Sequence, residues 1–139
     1  MRTGRIDRGF VIHAGESVPG FAPDVKASAG VTGGSLTVMT LTVDGGPPRH
    51  THTREDESIF LFTGELSVEC GGDEFRAEAG SLVFLPRGVP HAFYSVKGRA
   101  TGLLIVTPGG IEEYFAQLHA AETAEQVDAV MAAYGIVRS

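Results

Sequence analysis

The sequence predicts an all-β fold with a short helical extension at its C-terminus. From about residue 9 to 107 it reads as seven or eight short β segments separated by glycine and proline. The 139 residues include 19 glycines and 7 prolines, and glycine stands at about twice its usual share of roughly 7%, which marks many turns. From residue 110 onward the apolar spacing becomes helical. Strands at this density favour a sandwich or a barrel, and a chain this long predicts one domain over residues 1–139.

The elements follow in order. The stretch 18–34 is irregular and reads as a long loop over one end. Ser35 to Val43 is rich in threonine and valine and alternates, as a half-buried strand does. Asp44-Gly45-Gly46-Pro47-Pro48 ends it with turn residues. Glu57–Thr63 and Glu65–Cys70 are strands joined through Gly64, and Gly71-Gly72-Asp73 turns the chain into Glu74–Ala77. Ser81–Leu85 stops at Pro86, and His91–Val96 and Ala100–Thr107 complete the set. Pro108-Gly109-Gly110 breaks the β pattern, and Ile111 to Ala121 carries apolar residues at helical spacing. Thr123 and Gln126 form a capping box, with Gly135 as the C-cap. Between them Val127, Val130, Met131 and Tyr134 make one face that packs on the barrel.

Composition excludes several functions. The 17 acidic and 11 basic residues give a net charge of −6 with no basic stripe, which argues against a nucleic-acid partner. The longest apolar runs fall far short of the roughly 20 residues of a membrane helix. The basic start, through Gly15, holds too short an apolar core for a secretory signal. The single Cys70 excludes an internal disulfide and fits a reducing, cytoplasmic setting.

Chemistry concentrates in Arg49 to Glu57. His50 and His52 sit one residue apart and share a face if the segment is a strand. Glu57 can join them by pairing back across a hairpin. Its own strand alternates Glu57, Ile59, Leu61 against Ser58, Phe60, Phe62, so both faces read as buried. A buried carboxylate requires a partner. The second segment, Gly80 to His91, sets Pro86 and Gly88 as a turn before His91, aiming that imidazole into a barrel mouth. Three imidazoles and one carboxylate suit a divalent transition metal: Fe, Mn, Ni, Co, Cu or Zn. Glu55 and Asp56 are rival carboxylates that read as a solvated acidic turn. Arg87 reads as a surface residue, with contact to an anionic substrate as the alternative. Cys70 packs on a strand, and His13 and His119 lie outside both segments.

These residues resemble the cupin family. His50-x-His52, four residues, Glu57, six residues and Gly64 match its first motif, although Asp44 stands where the leading glycine is expected. Gly80, Pro86, Gly88 and His91 match the second, with Ser95 in place of its final asparagine. The resemblance covers about residues 33–107 and implies a double-stranded β-helix, or jelly-roll barrel, to which the helical spacing adds C-terminal helices over about 110–135. It implies His50, His52, Glu57 and His91 as metal ligands, and a small-molecule substrate. A homodimer is expected through the aromatic faces of strands 57–63 and 91–96.

The family hosts many reactions, and fold alone does not choose among them. One barrel does not suffice for the two-barrel oxalate enzymes, and Glu57 separates the chain from cysteine dioxygenases. The Thr107–Phe115 segment is similar to that of bacterial quercetin-dioxygenase-like cupins. That similarity implies a dioxygenase acting on an enolisable or phenolic substrate, with Glu57 as general base. The alternatives are a metal-dependent polyketide cyclase or keto–enol isomerase, and a non-enzymatic ligand- or metal-binding barrel.

Overall fold

The computed structural model describes residues 6–21 and 24–139. Residues 1–5, part of the segment read for a targeting signal, lie outside the described residues. Two five-stranded antiparallel sheets pack face to face. One has the order β1 (Val25–Ala27), β2 (Thr37–Val43), β9 (Ala100–Thr107), β4 (Asp56–Thr63), β7 (Leu82–Leu85). The other runs β10 (Ile136–Arg138), β3 (His50–His52), β8 (His91–Ser95), β5 (Glu65–Cys70), β6 (Asp73–Glu78). Consecutive strands often fall in different sheets, as a jelly roll requires. The mostly β architecture with C-terminal helices is the one the sequence predicts.

Period-two alternation builds the core. Ile59, Leu61, Leu66, Val68, Leu85 and Val106 point inward from both sheets and are almost wholly buried. The alternate residues of β4 behave otherwise. Phe60 and Phe62 are exposed, so β4 is buried on one face and not on both. Gly64 explains itself physically: its φ is +84°, and a Cβ there would lie 2.8 Å from Ala100.

Two parts of the chain are more ordered than predicted. The stretch 18–34 contains β1, which pairs with β2, and the single-turn helix α1 (Ala29–Thr32). The C-terminus adds a strand after its helices. Helices α2 (Ile111–Ala120) and α3 (Ala124–Ala133) form as expected, and the capping box is present, with Thr123 accepting from the Gln126 amide at 3.1 Å. Gly135 follows the helix with φ +70°. It then leads into β10, which pairs with β3 residue by residue from Ile136 opposite His52 to Arg138 opposite His50.

A buried carboxyl group ties the first part of the chain to the last. Glu112, at the start of α2, accepts hydrogen bonds from the Ala29 amide at 2.7 Å, the Thr37 hydroxyl at 2.6 Å and the Gly110 amide at 3.0 Å. Burying it is tolerable because its oxygens have these donors. Glu112→Ala takes the acceptor from the Ala29 amide and the Thr37 hydroxyl, the Gly110 amide keeping its bond to Thr37 Oγ1, and is expected to cost roughly 3 kcal/mol in urea unfolding. A loss below about 0.5 kcal/mol would show that α2 docks without this network.

Candidate metal centre

The sheets bring the two motif segments together at one end of the barrel. β3 and β8 pair with His50 opposite His91, so their side chains share a face. His52 lies two residues on from His50, on the same side. Glu57 comes from β4 in the opposite sheet, where it pairs with Leu85 and Val106. The imidazoles therefore belong to one sheet and the carboxylate to the other.

One nitrogen from each of His50, His52 and His91 lies within 4.8 Å of the others. His50 Nε2 is 3.1 Å from His52 Nε2, and His52 Nε2 is 2.8 Å from Glu57 Oε1. His91 Nε2 is 3.5 Å from Glu57 Oε2. His52 and Glu57 are each 4% exposed and His91 only 1%.

The surrounding groups fix the rings. His50 Nδ1 donates to the Pro48 carbonyl at 2.8 Å, which turns the Nε2 lone pair inward. His52 Nδ1 lies 3.2 Å from Glu55 Oε1, a carboxylate–histidine arrangement of the kind that orients metal ligands. Glu55 is thus a partner of His52 and not part of a solvated turn. Asp56 does face outward, where it accepts from the Arg87 amide at 2.8 Å and meets Arg87 Nη2 at 3.1 Å. Arg87 is spent on this clamp and does not line the cavity. The Gly88 amide donates to the His52 carbonyl at 2.8 Å, so the proline turn is held against β3 just before His91.

Protonation follows from these contacts. Burial alone would depress His52, but Glu55 and Glu57 override it and raise it to about 9. Burial pushes Glu57 up, and His52 and His91 outweigh that, holding it at about 2. His50 is lowered, chiefly by burial, and its imidazole neighbours add to the effect.

The donor set fits a divalent ion. Three imidazole nitrogens face one point, and neither nitrogen of the buried His91 has a hydrogen-bond partner. An unpartnered buried imidazole is costly in a protein, and a cation shared by the three histidines would engage one nitrogen of His91. The His50/His52/His91 cluster can hold a metal ion, with Glu57 beside two of its members.

A cavity of about 530 Å³ opens onto His50, His52 and Glu57. Its walls are largely apolar: Leu41, Val43, Phe93 and Leu104 come from the barrel. Its roof comes from α2 and α3, through Tyr114, Leu118 and Met131 among others. The helical stripe read as packing is therefore also a lining of the site. The sequence reading missed this roof, the role of Glu55, and Arg138, which also reaches the cavity. Ile136-Val137-Arg138 is too short a segment to signal a strand, so the sequence offered no sign of Arg138. His13 and His119 do not join the site, and Cys70 packs against the core, where burial pushes its thiol up.

A cupin domain model matches residues 37–107, from the start of β2 to the end of β9. The chain belongs to the cupin family. It is 32% identical over 65 residues to the tetracenomycin polyketide synthase protein TcmJ of Streptomyces glaucescens. That match covers 47% of this chain and 44% of the relative, so this cupin aligns with less than half of TcmJ. Among solved structures it is similar to KdgF from Halomonas, with a TM-score of 0.59 at 16% identity over 75% of this chain and 96% of that one. A Klebsiella pneumoniae protein with a double-stranded β-helix domain matches with a TM-score of 0.50 at 18% identity, over 55% of this chain and 70% of that one. At these identities the structural likeness establishes the fold. Among the described residues no helix of this cupin is long and apolar enough to cross a membrane.

The His52–Glu57 pair gives a pH signature in chelator-treated protein. His52 is raised from 6.5 to about 9, so its contribution is full below pH 6.5 and is lost as pH rises through about 9. Glu57 is lowered from 4.5 to about 2, so its contribution is present above 4.5 and lost as pH falls toward 2. The stability gap between wild type and His52→Gln is expected to be largest between pH 4.5 and 6.5 and to shrink on both sides. Thermal melts in EDTA across this range check it. A constant gap between about pH 6 and 10 would refute the pairing.

Proposed function

We propose that this cupin is a divalent-metal-dependent enzyme acting on a small, largely apolar substrate with an enolisable carbonyl or a phenol. The first reading is a dioxygenase of the quercetinase-like kind. One observation carries the proposal: a cluster of three imidazoles beside a buried carboxylate, of which His50, His52 and Glu57 open onto a largely apolar cavity of about 530 Å³. In this reading His50, His52, His91 and Glu57 are the metal ligands, and such an ion supplies Lewis-acid stabilisation of an enolate or phenolate oxygen. Glu57 is the proposed proton acceptor, because it is the carboxylate on the cavity floor beside the imidazoles. The apolar walls position the substrate body, and the helical roof excludes water from the reacting carbonyl.

A second reading uses the same enolate without oxygen, for aldol cyclisation of a polyketide or for keto–enol isomerisation. The likeness to a protein named as part of a polyketide synthase favours it. The two readings separate cleanly. Protein loaded with Fe(II) or Ni(II) is expected to consume oxygen with a flavonol or β-diketone in an oxygen-electrode assay, and the Zn(II)-loaded protein, whose ion is redox-inactive, is not. The His50→Ala, His52→Ala double variant is expected to lose both metal content and turnover, the latter by at least about a hundredfold. Equal turnover under nitrogen would move the assignment to cyclase or isomerase. Failure to load any divalent ion would remove both, in favour of a non-enzymatic barrel.

We also propose a homodimer through one sheet. The aromatic residues of strands 57–63 and 91–96 lie in different sheets, so they do not form one face. Phe60, Phe62, Leu82 and Phe84 do share the outer face of β4 and the edge strand β7, with exposures of 38 to 64%. This patch is uncharged, and a second copy across a two-fold axis offers it the same surface. Light scattering coupled to gel filtration is expected to give a dimer for the wild type and a monomer for Leu82→Asp, Phe84→Asp. A monomeric wild type would exclude the interface.

A further inference from the structure

Arg138 has no part in the chemistry above, yet it reaches the same cavity. The register of β10 against β3 places Ile136 opposite His52 and Arg138 opposite His50. Opposite residues in an antiparallel pair leave the sheet on the same face. Ile136 and His52 are both buried, so that face is the inner one. Arg138 therefore emerges on the imidazole side, one strand over from His50.

The guanidinium is held at the cavity rim. Arg138 Nη1 is 3.0 Å from Asp128 Oδ1 on α3, and the two side chains are 52% and 62% exposed. An ion pair this exposed contributes little to stability, so exchanging Asp128 for a ligand anion costs little. The other charged side chains on the wall are Glu57 on the floor and Asp44, which is 72% exposed and faces Arg99 at 4.0 Å.

We propose that Arg138 recognises an anionic group of the substrate, and that the substrate of this cavity carries a carboxylate remote from its enolisable carbonyls. The planar guanidinium fork matches a carboxylate in two-point geometry, and a charge-assisted contact beside apolar walls fixes orientation as well as affinity. The ion-binding residues then hold one end of the ligand and β10 holds the other. Arg138 lies outside residues 37–107, the span matched by the cupin domain. This inference rests on the reading of the cavity as an enolate site.

The test uses Ni(II)-loaded full-length protein and two matched probes in titration calorimetry. Succinylacetone is a β-diketone with a carboxylate at its far end; heptane-2,4-dione has a methyl group there instead. Wild type is expected to bind succinylacetone at least about tenfold more tightly. Arg138→Gln is expected to abolish that preference while keeping its metal content and its affinity for heptane-2,4-dione. Asp128→Asn, which frees the guanidinium, is expected to tighten succinylacetone binding alone. A wild type without preference, an Arg138→Gln variant that keeps it, or weaker succinylacetone binding by Asp128→Asn would each overturn the proposal. If neither probe binds, the enolate reading itself falls and this inference falls with it.

Discussion

The contact between His52 Nε2 and Glu57 Oε1, 2.8 Å long and almost fully buried, is the interaction on which the cavity end of the barrel depends. A carboxylate taken out of water costs several kcal/mol unless a cation or donors replace the solvent. Glu57 sits in one sheet and its imidazole partners in the other, so satisfying it also ties the two sheets together. The requirement propagates outward. His52 can serve Glu57 through Nε2 only if its ring is held, and Glu55 holds it through Nδ1. The Pro48 carbonyl does the same for His50. His91 stands apart, buried with both nitrogens unpartnered. Three of the groups are thus partnered within the protein, and His91 is the one that a bound cation would partner.

The three consecutive acids Glu55, Asp56 and Glu57 show how far the sequence could be read. Glu57 was legible because its spacing from His52 and its strand alternation both put it inside. Asp56 was legible as a surface acid. Glu55 was not, because composition and period are the same for all three. What separates them is the bend between β3 and β4, which turns Glu55 back to His52, Asp56 out to Arg87 and Glu57 into the barrel. The second motif read well for a related reason. Pro86 and Gly88 determine a turn locally, and the Gly88 amide bond to the His52 carbonyl then sets the turn against the first motif.

Non-local pairing explains the remaining misreadings. β1 and β10 are three residues each, too short to show a period, and each exists because a distant strand offers it an edge. Gly135 looked like a helix stop, which it is, but the same residue also starts a strand. The outer face of β4 read as buried because Phe60 and Phe62 are aromatic. Residue type says that a surface prefers cover; it does not say whether the cover comes from the same chain.

The C-terminal extension joins these threads. Without β10, β3 would be the edge of its sheet, and the strand that carries His50 and His52 would present unpaired backbone groups. The geometry of the imidazoles therefore depends on residues more than 80 positions further along the chain, as the pairing of Thr51 with Val137 makes plain. Holding β10 in place also delivers Arg138 to the rim, and the helices that lead to it supply the roof. One segment thus meets a backbone requirement of the sheet and shapes the space above the histidines. The cluster fixes what chemistry an ion could support. The extension adds the roof and a charged side chain to a cavity whose other walls come from the barrel. The cluster's strands and β10 lie in one antiparallel sheet, and β10 is paired directly with the strand that presents His50 and His52.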